Sequence, residues 1–340
     1  MSIITIVGSL NYDLVTFTDK IPIGGETYQA EKFETHIGGK GLNQAIATAK
    51  TTKEINDKFQ VRMVGSVGDD SFGLELIEAL KKYNVDITNV KINKEQKSGV
   101  ATILVEKSSG ENRILITEGA NGSTDHLTKD GENDLETIFP INSQNENYVI
   151  FQNEIPGVPK IINWIFENRP DHTIIYNPSP YYEYSNEILS KIDVLIVNEG
   201  EALSIMKDNF TQDQYQTLSE SVKINNDRKS VLESFGKIAR SLQKSINPTK
   251  LNLVILTLGP LGSIYSTNGT LGFIDAKKVE NVIDTTGAGD TFLGALVSQI
   301  SNKKSIESSL DFATIASSLA ISRPGASDSI PTYLEIINEN

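Results

Sequence analysis

What most restricts the fold of this chain is a rhythm. Short, nearly continuous apolar runs recur at Ile3–Val7, Val61–Val67, Tyr148–Gln152, Thr173–Asn177, Val194–Asn198 and Leu253–Leu258. Runs of this length without polar alternation belong to strands covered on both faces. Between them lie segments with helical spacing. Leu42, Ala45, Ile46 and Ala49 follow the i, i+3, i+4, i+7 rule, as do Val158, Ile161, Ile162 and Ile165, and Leu293, Leu296, Val297 and Ile300. Val231, Phe235, Ile238 and Leu242 recur one turn apart. The alternation predicts an α/β fold: a doubly wound, mostly parallel sheet flanked by helices, with ligands beyond the carboxyl ends of its strands.

Two stretches break the rhythm. Residues 14–36 and 98–117 read as short strands with no helix between them. The second contains a hairpin, GVATILVE–KSSGE–NRILIT, with Gly110 in its turn. Together they predict a small separate β-sheet, a lid on a single domain spanning residues 1–340. Residues 207–229 are polar and read as a solvated insertion of helix and loop.

Composition narrows the chemistry. There is no cysteine, which removes disulfides, thiolate metal sites and a thiol nucleophile. The histidines His36, His126 and His172 are too scattered for a metal site. A formal net charge of −13 argues against a broad nucleic-acid-binding face. It does not exclude anionic small molecules, since helix N-termini bind phosphate through backbone amides. No apolar run approaches the roughly 20 residues of a membrane helix, and the first residues read as a strand rather than a leader. We therefore expect a soluble, cytoplasmic protein, with presence in the nucleus also compatible.

Three segments carry chemistry. Asp284-Thr-Thr-Gly287-Ala288-Gly289-Asp290 opens the helix of Leu293 and Leu296. Small residues there leave amides accessible at the positive end of the helix dipole, an anion hole for a phosphoryl group in transfer. Asp290 is either a helix-terminal charge or a general base for an alcohol beside that phosphate. Gly38-Gly39-Lys40-Gly41-Leu42-Asn43-Gln44-Ala45 opens another helix, as a cap or as a place where a ligand approaches the backbone. It lacks the GxxxxGK[ST] pattern of a Walker loop. Gly8-Ser9-Leu10-Asn11-Tyr12-Asp13 leaves the first strand. Its Asn11 and Asp13 either bond adjacent sugar hydroxyls or form an Asx-turn.

Taken with VGDDSFG, GAN, NPSP, NEGE, TLGPLG and RPGASDSIP in the same order, these segments resemble the ribokinase family of sugar and nucleoside kinases. The resemblance runs over nearly the whole chain, and GGKGLNQA and DTTGAGDTFLGAL are its most specific parts. It implies a mostly parallel sheet with a β-lid over the sugar, ATP-dependent phosphorylation of D-ribose at its 5-hydroxyl, and a homodimer formed through the lid. It implies that Asn11, Asp13, Gly39, Lys40, Gly41, Asn43 and Glu154 hold the sugar beside Asp290, the catalytic base. Gly287, Ala288 and Gly289 would form the anion hole. Asn198, Thr257, Gly259, Gly262, Gly289 and Thr314 would meet the nucleotide, and Glu201 would organise Mg2+ and phosphate through water. A K+ site would draw on Asp284, Thr286, Ala320, Arg323, Gly325 and Ser329.

The chain departs from the family at Pro260 and Leu261, where a small polar and a basic residue are usual, and at Pro324, where a basic residue is usual. Pro260 has no N–H to offer a phosphate. The nearest rival is a kinase of the same family acting on deoxyribose, fructose or a nucleoside such as adenosine. A non-catalytic sugar-binding regulator is disfavoured by the intact GAGD segment. A dehydrogenase is disfavoured because no GxGxxG follows the first strand.

Overall fold

The computed structural model describes residues 1–52, 59–107, 111–123, 132–141, 145–183, 186–224 and 227–339. Its strands are β1 (Ser2–Val7), β2 (Asn11–Thr18), β3 (Lys32–Gly38), β4 (Phe59–Gly68), β5 (Asp86–Asn93), β6 (Gly99–Glu106), β7 (Asn112–Thr117), β8 (Glu146–Phe151), β9 (His172–Tyr176), β10 (Val194–Asn198), β11 (Leu253–Thr257), β12 (Gly262–Thr267) and β13 (Thr270–Asp275). The helices are α1 (Lys40–Thr52), α2 (Ser71–Lys82), α3 (Glu132–Ile138), α4 (Val158–Asn168), α5 (Asn186–Leu189), α6 (Glu199–Asn209), α7 (Gln212–Ile224), α8 (Arg228–Gln243), α9 (Ala288–Ser301), α10 (Ile306–Ile321) and α11 (Tyr333–Asn338).

Nine strands form one sheet in the order β13-β12-β11-β10-β9-β8-β1-β4-β5. All neighbours pair in parallel except that β12 runs antiparallel to both β11 and β13. In central β1 the side chains alternate between two cores. Ile4 and Ile6 pack with Leu42 and Ile46 of α1 and Leu293 and Leu296 of α9. Val7 belongs to the opposite core, with Ile161 and Ile162 of α4, Ile205 of α6 and Ile238 of α8. A strand covered on both faces has no polar side to display, which is why its sequence does not alternate.

The expected β excursions pair with each other. A second sheet has the order β3-β2-β6-β7, with β2 and β6 parallel at its centre. It is rooted at the site end of the molecule: Asn11 pairs with both Gly38 and Gly99. Gly110 lies outside the described residues. Residues 207–229 fall on the end of α6, on α7 and on the start of α8. Strand β5 and the β12–β13 hairpin escape the sequence reading. Strand β5 (DITNVKIN) is half-exposed and has too few apolar residues to show a pattern. Among the described residues no helix is long and apolar enough to cross a membrane.

Candidate active site

The strand ends converge as a doubly wound sheet requires. Ser9 follows β1, Gln152 and Glu154 follow β8, Asn177 follows β9, Asn198 ends β10 and Thr257 ends β11. Helix α1 is brought against the end of β1 by Gly41, where an added Cβ would stand 2.6 Å from the Ser9 nitrogen. Any larger residue would push the helix away. The close approach lets the Leu42 N–H donate to the Ser9 carbonyl at 3.0 Å. It also sets the first turn of α1, with Lys40, Asn43 and Gln44, into the site.

Asp290 lies in the first turn of α9, whose N-cap is Gly287 in the left-handed region (φ 73°). No side chain caps this end; Ala288 N–H makes a long bond of 3.3 Å to the Thr285 carbonyl, and an uncapped helix start leaves further amides for an outside acceptor. Asp290 is buried, 7% exposed. Its Oδ2 accepts from Asn43 Nδ2 at 3.1 Å and its Oδ1 from Gln44 Nε2 at 2.9 Å. A carboxylate whose two oxygens are both held by neighbouring amides has a defined direction.

Glu154 accepts from the Ser9 hydroxyl and, at 2.9 Å, from the Lys40 backbone N–H. Burial by itself would lower the Lys40 pKa, but the carboxylates of Asp290, Glu154 and Glu201 outweigh it and hold the ammonium above its ordinary value. Asp13 shows the opposite balance. Burial, and then the charge of Glu154, push its carboxyl up to about 7, with His36 pulling weakly the other way. Asn11 Oδ1 accepts from Asn121 Nδ2 at 2.7 Å. The Oδ1 of Asn43 is buried and has no partner, so an acceptor stands ready for a hydroxyl. Asp13, Lys40, Asn43, Glu154 and Asp290 thus belong to one polar cluster, with Asn11 beside the Gly39 and Gly41 turn that leads into it.

On the other side of the α9 turn lies a cavity of about 690 Å³. Thr257, Gly259, Gly262, Gly289 and Thr314, all expected at the nucleotide, line it. So do Ala288, Pro260 and the apolar Val279, Val282, Phe292 and Ile321. Asn198 and Glu201 are not part of this lining. They form a capping box on α6: Glu201 N–H donates to Asn198 Oδ1 at 2.8 Å and Asn198 N–H to Glu201 Oε2 at 2.9 Å. Glu201 remains within electrostatic reach of Lys40.

Asp284 ties two loops together. Its Oδ1 accepts from Thr286 N–H at 2.9 Å and its Oδ2 from Gly325 N–H at 3.0 Å. Burial would raise its pKa, but these bonds and nearby His36 prevail and lower it. Pro324 leaves the Gly325 bond intact. The other members of the expected cation set make bonds of their own. Arg323 donates to Glu335 at 2.7 Å, the Ala320 carbonyl accepts the Arg323 N–H at 3.0 Å, and Ser329 Oγ donates to the Ala326 carbonyl at 2.9 Å. Among the described residues no group of three or more histidine or acidic side chains is placed to hold a metal ion.

Several site residues have no role in the sequence reading. Gln44 and Asn121 sit inside quoted motifs, Asn177 opens NPSP, and Ser9 and Gln152 come just after strands. Their positions at strand ends and helix starts were the available signal; their partners were not.

A mostly parallel sheet, an uncapped helix start at its carboxyl edge, and a buried aspartate between a polar cluster and a nucleotide-sized cavity define a phosphotransferase of the sugar-kinase class. The chain belongs to the pfkB family of carbohydrate kinases, whose model matches residues 1–333. It is similar to a ribokinase of Schizosaccharomyces pombe, 38% identical over 98% of this chain and 96% of that one. Among solved structures it is similar to a ribokinase of Thermotoga maritima (28% identity, all of both chains, TM-score 0.79). It is also similar to a ribokinase of Arabidopsis thaliana complexed with ribose and ATP (27% identity, 99% of this chain and 98% of that one, TM-score 0.79).

Proposed function

We propose that the chain is an ATP:D-ribose 5-phosphotransferase, making D-ribose 5-phosphate and ADP. One observation carries the reading. Ala288 and Gly289 line the large cavity, and the next residue, Asp290, is bonded to Asn43 and Gln44 on the polar side. A base therefore stands where the two halves of the site meet.

Ribose enters between the small sheet, acting as a lid, and the wide sheet. Asn11, Asp13, Asn43 and Glu154 take its hydroxyls, and the 5-hydroxyl faces Asp290. Asp290 accepts the hydroxyl proton as the oxygen attacks the γ-phosphorus; the bond from that phosphorus to the bridging oxygen of ADP breaks. The uncapped amides at the start of α9 stabilise charge on the transferring group. The cavity lined by Thr257, Gly259, Gly262 and Thr314 holds the nucleoside end.

Glu201 fits a role near Mg2+ through water, since its capping bond occupies Oε2 alone. The ion, when bound, neutralises phosphate charge. Asp284 fits a K+ site joining its loop to that of Gly325, and the ion there would hold the α9 turn in place. Phe33, Ile114, Leu115 and Ile116 are exposed on the small sheet, which supports pairing of two copies through it; sedimentation of Leu115→Lys tests this. With the activity goes a cytoplasmic location, which cell fractionation tests.

The deciding experiment is coupled ADP release across pentoses, hexoses and nucleosides. D-Ribose should have the highest kcat/KM. A higher value for deoxyribose, fructose or adenosine would move the assignment within the family, and ribose binding without turnover would favour a sugar-binding regulator.

A further inference from the structure

Beyond Asn43, the carboxylate of Asp290 is reached by a second line of buried groups. Gln44 Nε2 donates to Asp290 Oδ1 at 2.9 Å and to Asn177 Oδ1 at 3.3 Å. Asn177 is itself oriented by its Nδ2, which donates to the Ile196 carbonyl at 3.0 Å. The Oε1 of Gln44 accepts from Gln152 Nε2 at 2.7 Å. Gln44 and Gln152 are both fully buried, so no water competes for these bonds.

The direction of the chain follows from its end. An ionised carboxylate only accepts, so Gln44 must turn its NH2 toward Asp290 and its oxygen toward Gln152. Gln152 must then turn its own NH2 toward Gln44. A flipped Gln44 would set a carbonyl against the carboxylate and two NH2 groups against each other. Gln152 fills this role at a cost: its Oε1 is buried without a partner, and an added Cβ on Gly8 would stand 2.0 Å from that atom. An apolar side chain would avoid the buried unpaired carbonyl. The residue is better explained by direction than by packing.

We infer that Gln152 and Gln44 form a relay of amide donors that fixes the orientation of the Asp290 carboxylate, with Gln152 acting only through Gln44. Both are positioning residues; neither needs to touch the sugar or the nucleotide. The inference rests on the reading of Asp290 as the base.

The test is steady-state kinetics and thermal unfolding of Gln44→Met, Gln152→Met, the double variant and Asp290→Asn in the full-length protein. Misplacing a reacting group by about 1 Å can cost on the order of 10²-fold. Gln44→Met should therefore lose about 10- to 100-fold in kcat and Gln152→Met about 5- to 10-fold. KM for ribose and ATP should stay within about twofold, because the relay orients the base and does not bind substrate. The double variant should be no slower than Gln44→Met alone, since residues acting in series are non-additive. Melting temperatures within a few degrees of the parent separate this from loss of fold; Gln152→Leu serves if the Met variant does not fold. Wild-type kcat in folded Gln152→Met, or losses that multiply in the double variant, would overturn the relay. Wild-type kcat in Asp290→Asn would overturn the base assignment instead, so the two failures are distinguishable.

Discussion

On the β2 side of Asp290 the wall of the site is made of charged and amide side chains already bonded to one another, whereas on the β11 side it is made mostly of backbone turns, short hydroxyls and apolar groups, with Lys277 and Lys278 its charged members. Glu154 is engaged by Ser9 and by the Lys40 amide, and Asn11 by Asn121. Across the α9 turn, Gly259, Gly262, Ala288 and Gly289 contribute little but backbone, and Val279, Val282 and Ile321 contribute apolar surface. The first wall reads a ligand through specific donors and acceptors. The second offers mainly shape, with the ammonium groups of Lys277 and Lys278 beside it. Removing one side chain should therefore be costly on the sugar side and mild on the nucleotide side, with Asp290 at the seam.

The largest effect is expected at the seam itself. Asp290→Asn should lose about 10²–10⁴-fold in turnover, while ribose affinity, measured by equilibrium binding, changes far less. A folded variant with near-normal kcat would remove the base from the mechanism and, with it, the division between the two walls.

Next comes Asp13. A site built to bond a hydroxyl loses heavily when the partner goes, and bonds to charged groups are the stronger kind. Asp13→Ala should raise the ribose KM about 10²-fold and leave the ATP KM nearly unchanged; equal changes in both would break the comparison. The pH dependence sharpens it. With its pKa pushed up to about 7 from 3.8, Asp13 takes up a proton on folding between those values. Its contribution to stability is thus present below the ordinary carboxylate pKa and lost as pH rises through about 7. Asp13→Asn should raise the melting temperature most at pH 8, less at pH 5, and little below about pH 4. Ribose kcat/KM should run the other way in the parent protein, falling below pH 7 as the accepting carboxylate is neutralised.

The same contrast decides what could be read from the sequence. The wide sheet was legible because strands buried on both faces leave continuous apolar runs, and α1, α4, α8 and α9 because their buried faces recur at helical spacing. The polar cluster around Asp290 was legible for a related reason: it is built from side chains, many of them in Gly8–Asp13 and Gly38–Ala45. On the cavity side the residues marked in the sequence were Thr257, Gly259, Gly262, Gly289 and Thr314, and all of them line the cavity. Val279, Val282 and Phe292 carry no mark that separates a cavity wall from ordinary packing. Gln152 was opaque for another reason. Its role depends on which way an amide faces, and that is set by Asp290, far away along the chain.

A third, intermediate effect concerns the support of the seam. Asp284 joins the Thr286 and Gly325 loops just before the α9 turn. If a monovalent cation adds charge there and holds that turn, KCl titrated into potassium- and sodium-free buffer, with choline chloride holding ionic strength constant, should raise kcat about tenfold. Removing a single oxyanion donor typically costs about 10²–10³, and a loosened turn should cost less than a deleted one. Asp284→Ala should abolish the response. A flat titration would mean that the loop pair needs no ion, and that the carboxylate alone does the joining.

The smallest effect is expected at Thr314, and it tests the comparison from the nucleotide side. Thr314 is buried on α10 and lines the cavity beside Ser317 and Ser318. The hydroxyls of those serines donate to the Thr314 and Ile315 carbonyls at 3.0 and 2.8 Å. Their remaining lone pairs can still accept from a ligand, so the wall offers several neutral oxygens within one helical turn. A neutral hydrogen bond contributes only about 0.5–1.5 kcal/mol net, and a neighbour or a water can replace part of it. Thr314→Ala should accordingly raise the ATP KM about two- to fivefold, with the ribose KM and kcat unchanged. The measurement is the ATP KM at saturating ribose, set beside the ribose KM of Asp13→Ala at saturating ATP. A rise in the first as large as the rise in the second would mean that the nucleotide, too, is read by a single side chain, and the two walls would no longer differ in kind.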